Sequence, residues 1–277
     1  MLPQRVDLVL NSIDHLRPMP SSVTRILKEI DNPYISVSVI SQYIGLDQAL
    51  TALVLQASNT AALGFGQPCI TINDAVVRIG FKRLKSILMV SAAAGPLTRR
   101  LSGYRLGAGQ LWDHSLRIAI AAEWLAKNLR YPDPEEAYVA GLLHDIGKLL
   151  LDQFVLQDYQ KIVQFVQQYQ MPLWQVEEKL IGIDHASVGG LMANRWQFPT
   201  KLEDAIRCHH APSLARVNQS LAAIVNLANS VSNLNNFETD IISNELHPET
   251  CNILKLTEQG RDKLMKGLMI TLGNSND

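Results

Sequence analysis

The stretch GLLHDIGKLLL, residues 141–151, sets an imidazole, a carboxylate and an ammonium (His144, Asp145 and Lys148) inside an otherwise apolar run. Burying three such groups together costs several kcal/mol unless they pair with one another or hold a metal. Four more histidines accompany them: His114 in LWDHSLRIAI, His185 in IGIDHASVGG, and His209 with His210 in AIRCHHAP. Nitrogen and oxygen donors of this kind suit Fe, Mn, Zn, Co or Ni rather than Ca or Mg. Any one histidine alone is explained as a hydrogen-bonded core residue, because buried polar groups find protein partners. Five converging are hard to explain that way.

Positioning these groups falls to helices. Helix signals recur throughout the chain, and the two-residue alternation of β-strands is scarce. The expected fold class is all-α, with two packed helical subdomains. The first spans residues 1–100. In it LRPMPSSV begins a helix that DNPY stops. SVSVISQYIG and LDQALTALVLQASN form two short helices, Asp47 capping the second, and TAALGFGQPCI is a loop before TINDAVVRIG and FKRLKSILMVSAAAGPL. The Gly-rich LSGYRLGAGQ, residues 101–110, reads as a linker.

The second subdomain, 111–236, opens with LWDHSLRIAIAAEWLAKNL, whose His114, Ile118, Ala121 and Leu125 share an inward face. The next helix starts at a capping box of Asp133, Pro134 and Glu136 and runs on through HDIGK. Ala137, Ala140, Gly141, His144, Gly147, Lys148 and Leu151 then form one stripe. A Thr200 to Glu203 capping box opens the helix that ends at His209 and His210, where exposed carbonyls favour a cation. Asn229 shares a face with Ala222 and Val225. Beyond Phe237 the signals weaken to a tail, 237–277, with one amphipathic segment near GRDKLMKGLMI.

At 277 residues, 47% hydrophobic and 18% charged, the chain is globular rather than disordered. Its longest nearly uncharged apolar run, Ser86 to Leu97, is far short of a bilayer crossing, and MLPQRVD lacks the layout of a signal peptide. Cys69, Cys208 and Cys251 are scattered, which argues against a disulfide framework and fits a reducing compartment. A cytoplasmic location with no membrane contact is expected. The net charge of −1 conceals +6 over residues 1–130 and −7 over the rest. Arg78, Lys82, Arg83, Lys85, Arg99, Arg100 and Arg105 occur with no acidic residue among them and read as a solvated basic face. Nucleic acid is not an expected partner, because the second helix of SVISQYIGLDQALTALVLQ carries Asp47 and no Lys or Arg.

The order of His114, the doublet His144 and Asp145 in HDIGK, and a later helix residue resembles the HD superfamily of metal-dependent phosphohydrolases. IGIDHASVGGLMANRWQFP followed by AIRCHHAP narrows the likeness to the HDOD branch. LRPMPSSVTRILKEI, GLDQALTALVLQASNTAALG and TINDAVVRIGFKRLKSI resemble that branch's N-terminal helical half, so the likeness covers roughly residues 10–235. It implies that His114, His144 and Asp145 are the first metal ligands, and that His185, His209 and His210 match the additional histidines of dinuclear members. It also implies catalytic parts for Asp145 and for Lys148, which one turn after His144 would contact a phosphate oxygen. The metal of that superfamily lowers the pKa of bound water towards neutrality.

The superfamily's late Asp falls at Asn229, a neutral carboxamide. With Asp145 the one matched carboxylate, a divalent transition metal is expected as one ion rather than two. The GYP element of related cyclic-dinucleotide phosphodiesterases is absent, APSLARV following His210. The branch is regarded as a set of signalling modules. A regulatory protein with a signalling protein partner is therefore expected, the alternative being a phosphohydrolase acting on a nucleotide or other phosphoester. Asp113, Glu178 and Asp184 read as helix-end or surface acids, Cys208 as a small buried hydrophobe, and the four tryptophans as packing.

Overall fold

The computed structural model describes residues 2–16, 19–59, 68–231 and 246–273. Residues 60–67 of the expected loop, and the start of the tail at 237, lie outside them. The described residues form fifteen α-helices and no strand, and one β-bridge joins Leu101 to Leu106. None of these helices is long and apolar enough to cross a membrane. The chain forms two compact units, Arg17–Ala93 and Met1–Leu16 with Ala94–Asp277.

The first helix, α1 (Leu2–Asp14), belongs to the larger unit. The smaller unit holds α2 (Ser21–Ile30), α3 (Val37–Gly45), α4 (Gln48–Ser58) and α5 (Ile72–Ile79), followed by α6 (Phe81–Leu97), which runs on past the unit's boundary. Three polar side chains start these helices. Ser36 accepts from the Val39 amide, Asp47 from those of Ala49 and Leu50, and Thr71 from that of Asp74. Each satisfies amides that a first helical turn leaves without partners. Apolar residues three or four apart, such as Val23 with Ile26, Ile40 with Ile44 and Leu50 with Val54, are buried as the unit's core. Asp47 also accepts the Ser22 hydroxyl at 2.8 Å, which ties the start of α4 to α2. That bond, with the two from the backbone, holds the Asp47 carboxyl below the usual carboxylate range. Asp47→Ala is expected to remove about 1 kcal/mol of stability, read as a lower urea midpoint with an unchanged slope.

The larger unit continues with α7 (Gln110–Asn128), α8 (Pro134–Leu143), α9 (Lys148–Tyr169), α10 (Leu173–Ile181), α11 (His185–Arg195) and α12 (Thr200–Arg207). A 3-10 turn, Pro212–Leu214, then leads to α13 (Gln219–Val231), α14 (Thr250–Ile253) and α15 (Glu258–Gly273). The amphipathic segment near GRDKLMKGLMI is α15. No expected element covers α1. It joins this unit because Val9 and Ile13 are buried and its Arg5 guanidinium bonds the Asp158 carboxylate of α9 and, at 3.3 Å, the Leu180 carbonyl. Before α7, residues 101–109 form a strap whose Gly103 and Tyr104 amides donate to Asp152 Oδ1 at 2.7 and 3.3 Å.

The single helix expected through HDIGK is two. α8 ends at Leu143 and α9 begins at Lys148, so Ala137 to Leu151 do not share one stripe. Between them the amides of Ile146, Lys148 and Leu149 bond carbonyls three residues back, at 3.1, 3.0 and 3.1 Å. This is a tighter winding than the α-helix. The cause is tertiary: Gly147 lies so close to α11 that a Cβ there would sit 1.9 Å from the His185 carbonyl oxygen. Gly141 also brings α8 close to α7, though less so, its added Cβ falling 2.8 Å from the Ile118 carbonyl oxygen.

Neither expected capping box forms. Asp133 makes no side-chain cap, and the Glu136 carboxylate accepts the Tyr131 hydroxyl at 2.9 Å instead. Pro199 occupies the cap of α12, and Glu203 accepts from Asn194 at 3.0 Å. In both places a neighbouring side chain offers the carboxylate a better partner than its own helix end.

Candidate metal centre

Four segments of the larger unit deliver the sequence-flagged groups to one place. α7 carries His114 in its second turn, and the break between α8 and α9 carries His144 and Asp145, with Lys148 opening α9. His185 is the first residue of α11, and His209 with His210 follows the end of α12. Asp145 lies at the centre. Its Oδ2 is 3.3 Å from both His114 Nε2 and His144 Nε2 and 2.6 Å from Lys148 Nζ. Its Oδ1 is 3.1 Å from His185 Nε2 and 3.9 Å from His209 Nε2. His210 Nε2 completes the cluster at 2.9 Å from His185 Nε2.

The rings are oriented from behind. His144 Nδ1 lies 2.7 Å from the Gly141 carbonyl and His209 Nδ1 2.7 Å from that of Ile206. A carbonyl only accepts, so each Nδ1 donates its proton backwards and each Nε2 is turned towards Asp145. His185 Nδ1 donates to Glu177 Oε2 at 2.6 Å, the same carboxylate oxygen that accepts the His185 amide at 2.8 Å. Glu177 Oε1 accepts the hydroxyl of Tyr104, from the strap, at 2.8 Å. Such outer partners fix the tautomer and aim of metal-binding histidines.

The lone pair of a neutral His209 Nε2 and a buried carboxylate oxygen repel each other unless a cation lies between them. Asp145 Oδ1 and His209 Nε2 are buried with no hydrogen-bond partner, and His185 Nε2 lies 3.1 Å from Oδ1. Donor atoms fall into two groups whose members lie within 4.8 Å of one another: His114, His144 and Asp145, and His185, His209 and His210. The residues present therefore fit a divalent transition ion.

Burial pushes the His114 imidazole down to about 4 and those of His209 and His210 well below their usual value. These three are neutral at pH 7, as metal ligation requires. Burial also works against the charge of His185, but the Glu177 carboxylate outweighs it and raises His185 to about 9. Burial likewise works against the Asp145 charge. His144 and Lys148 outweigh it and hold Asp145 well below the carboxylate range. Metal uptake through His185 Nε2 must therefore displace a proton. Affinity for Mn(II) or Co(II) is expected to rise by about tenfold per pH unit between pH 7 and 8, measured by competition with a chromogenic chelator.

Two acids weighed from sequence lie elsewhere: Asp113 and Glu178 are exposed. Asp184 caps α11 through the Ser187 amide at 2.6 Å. The carboxylate behind His185 is Glu177, one residue from Glu178. Its signal was its register, since it lies four residues after buried Leu173 and one after buried Val176. Burial raises the Cys208 thiol, so it packs as a neutral group. Trp174 stacks on His210, with ring centroids 5.7 Å apart and planes 12° apart. On α13, Asn229 is buried. One turn earlier, Asn226 donates to the His209 carbonyl at 2.8 Å and accepts the His247 amide and the Thr250 hydroxyl at 3.0 and 2.6 Å.

Residues 16–212 match the HDOD domain family. The chain belongs to the HDOD family. Among solved structures, this HDOD chain is similar to an HDOD domain protein of unknown function from Geobacter sulfurreducens. That likeness has a TM-score of 0.70 and 24% identity over 99% of this chain and 95% of that one. A phosphohydrolase candidate from Shewanella amazonensis SB2B has a TM-score of 0.69 and 26% identity over 94% and 93% of the two chains. A candidate signal transduction protein from Marinobacter aquaeolei VT8 has a TM-score of 0.66 and 22% identity over 94% and 59%. Among curated relatives, an uncharacterized protein of Treponema pallidum (strain Nichols) is 28% identical over 73% of the HDOD chain. Ribonuclease Y of Mycoplasmoides gallisepticum is 31% identical over 48%. The chain spans only 39% and 21% of the lengths of these two relatives.

Proposed function

We propose that this HDOD chain is a regulatory module of cytoplasmic signalling, acting through a protein partner, whose buried pocket holds one divalent transition ion. The observation that carries the reading is the engagement of Lys148. Its ammonium contacts Asp145 Oδ2 at 2.6 Å and is buried there, so it is not turned towards a substrate phosphate. A phosphoester bound at this pocket would have to break a buried ion pair before it could use that charge, at a cost of several kcal/mol. The chemistry a bound ion supplies is Lewis acidity towards an oxygen ligand. His185, His209 and His210, beside Asp145, would hold it, and Glu177 would aim His185. The deciding experiment is phosphoester hydrolysis by Mn- or Fe-loaded protein under anaerobic conditions, beside His144→Ala. Turnover no greater than that of the variant is expected, and turnover that the variant abolishes would overturn the regulatory reading.

A metal-dependent phosphohydrolase acting on a nucleotide or other phosphoester is the second reading. The buried Nε2 of His209 and Oδ1 of Asp145, both without hydrogen-bond partners, favour it, because they leave room for an ion with an open coordination position. The 26% identity to the Shewanella phosphohydrolase candidate supports it too.

A further inference from the structure

We infer that the Lys148 ammonium occupies the place of one of the two cations this donor set has room for, so that a single ion binds on the side of His185, His209 and His210. The inference rests on the reading that the pocket holds metal. Asp145 lies between the two donor groups: Oδ2 faces His114 and His144, and Oδ1 faces His185 and His209. The two faces are unequal. On the first, Lys148 Nζ lies 2.6 Å from Oδ2. On the second, Oδ1 and His209 Nε2 have no hydrogen-bond partner.

Lys148 is held where it is. The tight turn places it three residues after Asp145, and its side chain is 8% exposed. The ring of Tyr104 lies 5.8 Å from its ammonium, and that ring is itself fixed by the hydroxyl bond to Glu177. A dication arriving at His114 and His144 would have to share Oδ2 with the ammonium, and two cations that close in a dry pocket repel strongly. The charges agree with the geometry. With His185 neutral as a ligand, Asp145 and Glu177 supply two negative charges and Lys148 one positive charge, so one dication leaves a small excess and a second leaves a large one.

The test is the metal content of protein loaded with Co(II) and desalted, read by elemental analysis and by visible absorption of the bound ion. One ion per chain is expected. His210→Ala should remove it and His114→Ala should leave both content and spectrum unchanged. Lys148→Met, which keeps the length of the side chain without its charge, should take two ions, and adding His114→Ala to it should return the content to one. Two ions in the unaltered chain, or loss of the ion in His114→Ala with retention in His210→Ala, would overturn the inference. One ion in the unaltered chain and also in folded Lys148→Met would refute the part given to Lys148 while leaving the metal reading intact. No retained metal in any of the proteins would remove both. If Lys148→Met does not fold, the contrast between His114→Ala and His210→Ala in the unaltered background still decides.

Discussion

Gly147→Ala is expected to leave the larger unit unable to reach its native fold, with loss of soluble, cooperatively melting protein. The added Cβ would meet the His185 carbonyl oxygen at 1.9 Å and the Gly189 amide nitrogen at 2.6 Å. Both are backbone atoms of α11, so no side chain can swing aside. Relief requires moving α11 away from the turn, and α11 begins with His185, whose amide and ring are both bound to Glu177. A cost beyond about 4–5 kcal/mol is rare for a single substitution and consumes much of the about 5–15 kcal/mol that stabilises a domain. Gly95→Ala is the control. Nothing lies within 4 Å of the added Cβ there, on α6, and because Pro96 follows and crowds the Cβ of the residue before it, a change of no more than about 1 kcal/mol in either direction is expected. Thermal melts followed by circular dichroism separate the two.

Glu177→Ala is expected to cost about 3–5 kcal/mol in the metal-free protein, because it strands the partners of a buried charge. The Tyr104 hydroxyl and both the amide and Nδ1 of His185 lose their acceptor in the same step. Glu177→Gln keeps the shape and removes the charge, which isolates the electrostatic part. His185 is raised to about 9 in the folded chain from an ordinary value of 6.5. A raised folded-state value means that its stabilisation is fully present below pH 6.5 and is lost as pH rises through 9. His114, His209 and His210 shift the other way, and their effects fall below pH 6.5. In chelator, the melting temperature of the unaltered chain should therefore fall between pH 6.5 and 9, whereas that of Glu177→Gln should be nearly flat. A parallel decline in both proteins would show that Glu177 does not set the charge of His185.

The helix starts at Asp47, Ser36 and Thr71 show what sequence carries well, because a cap and the amides it satisfies lie within three residues of each other. The histidines and Asp145 were legible for a different reason: polar groups in an apolar run announce that something must compensate them. The break in HDIGK was not legible. It is imposed by the backbone of α11, nearly forty residues away, and the local run of apolar residues gives no sign of it. Glu177 and Glu178 differ only in register, and choosing between them requires knowing which side of α10 is buried. The two unformed capping boxes failed similarly, since Tyr131 and Asn194 took carboxylates that the local pattern assigned to helix ends.

The amide of Asn226 bears on where this protein can be cut. The family match stops at residue 212, only two residues after His210. Yet the His209 carbonyl is held by Asn226, and the other end of that amide is held by His247 and Thr250. A fragment trimmed to the family boundary would release the backbone of the histidine pair, and one ending before residue 246 would leave the buried amide oxygen of Asn226 without those two donors. A piece that keeps the His209 carbonyl bound and both donors to Asn226 in place extends through Thr250, well beyond the segment by which its ancestry is recognised.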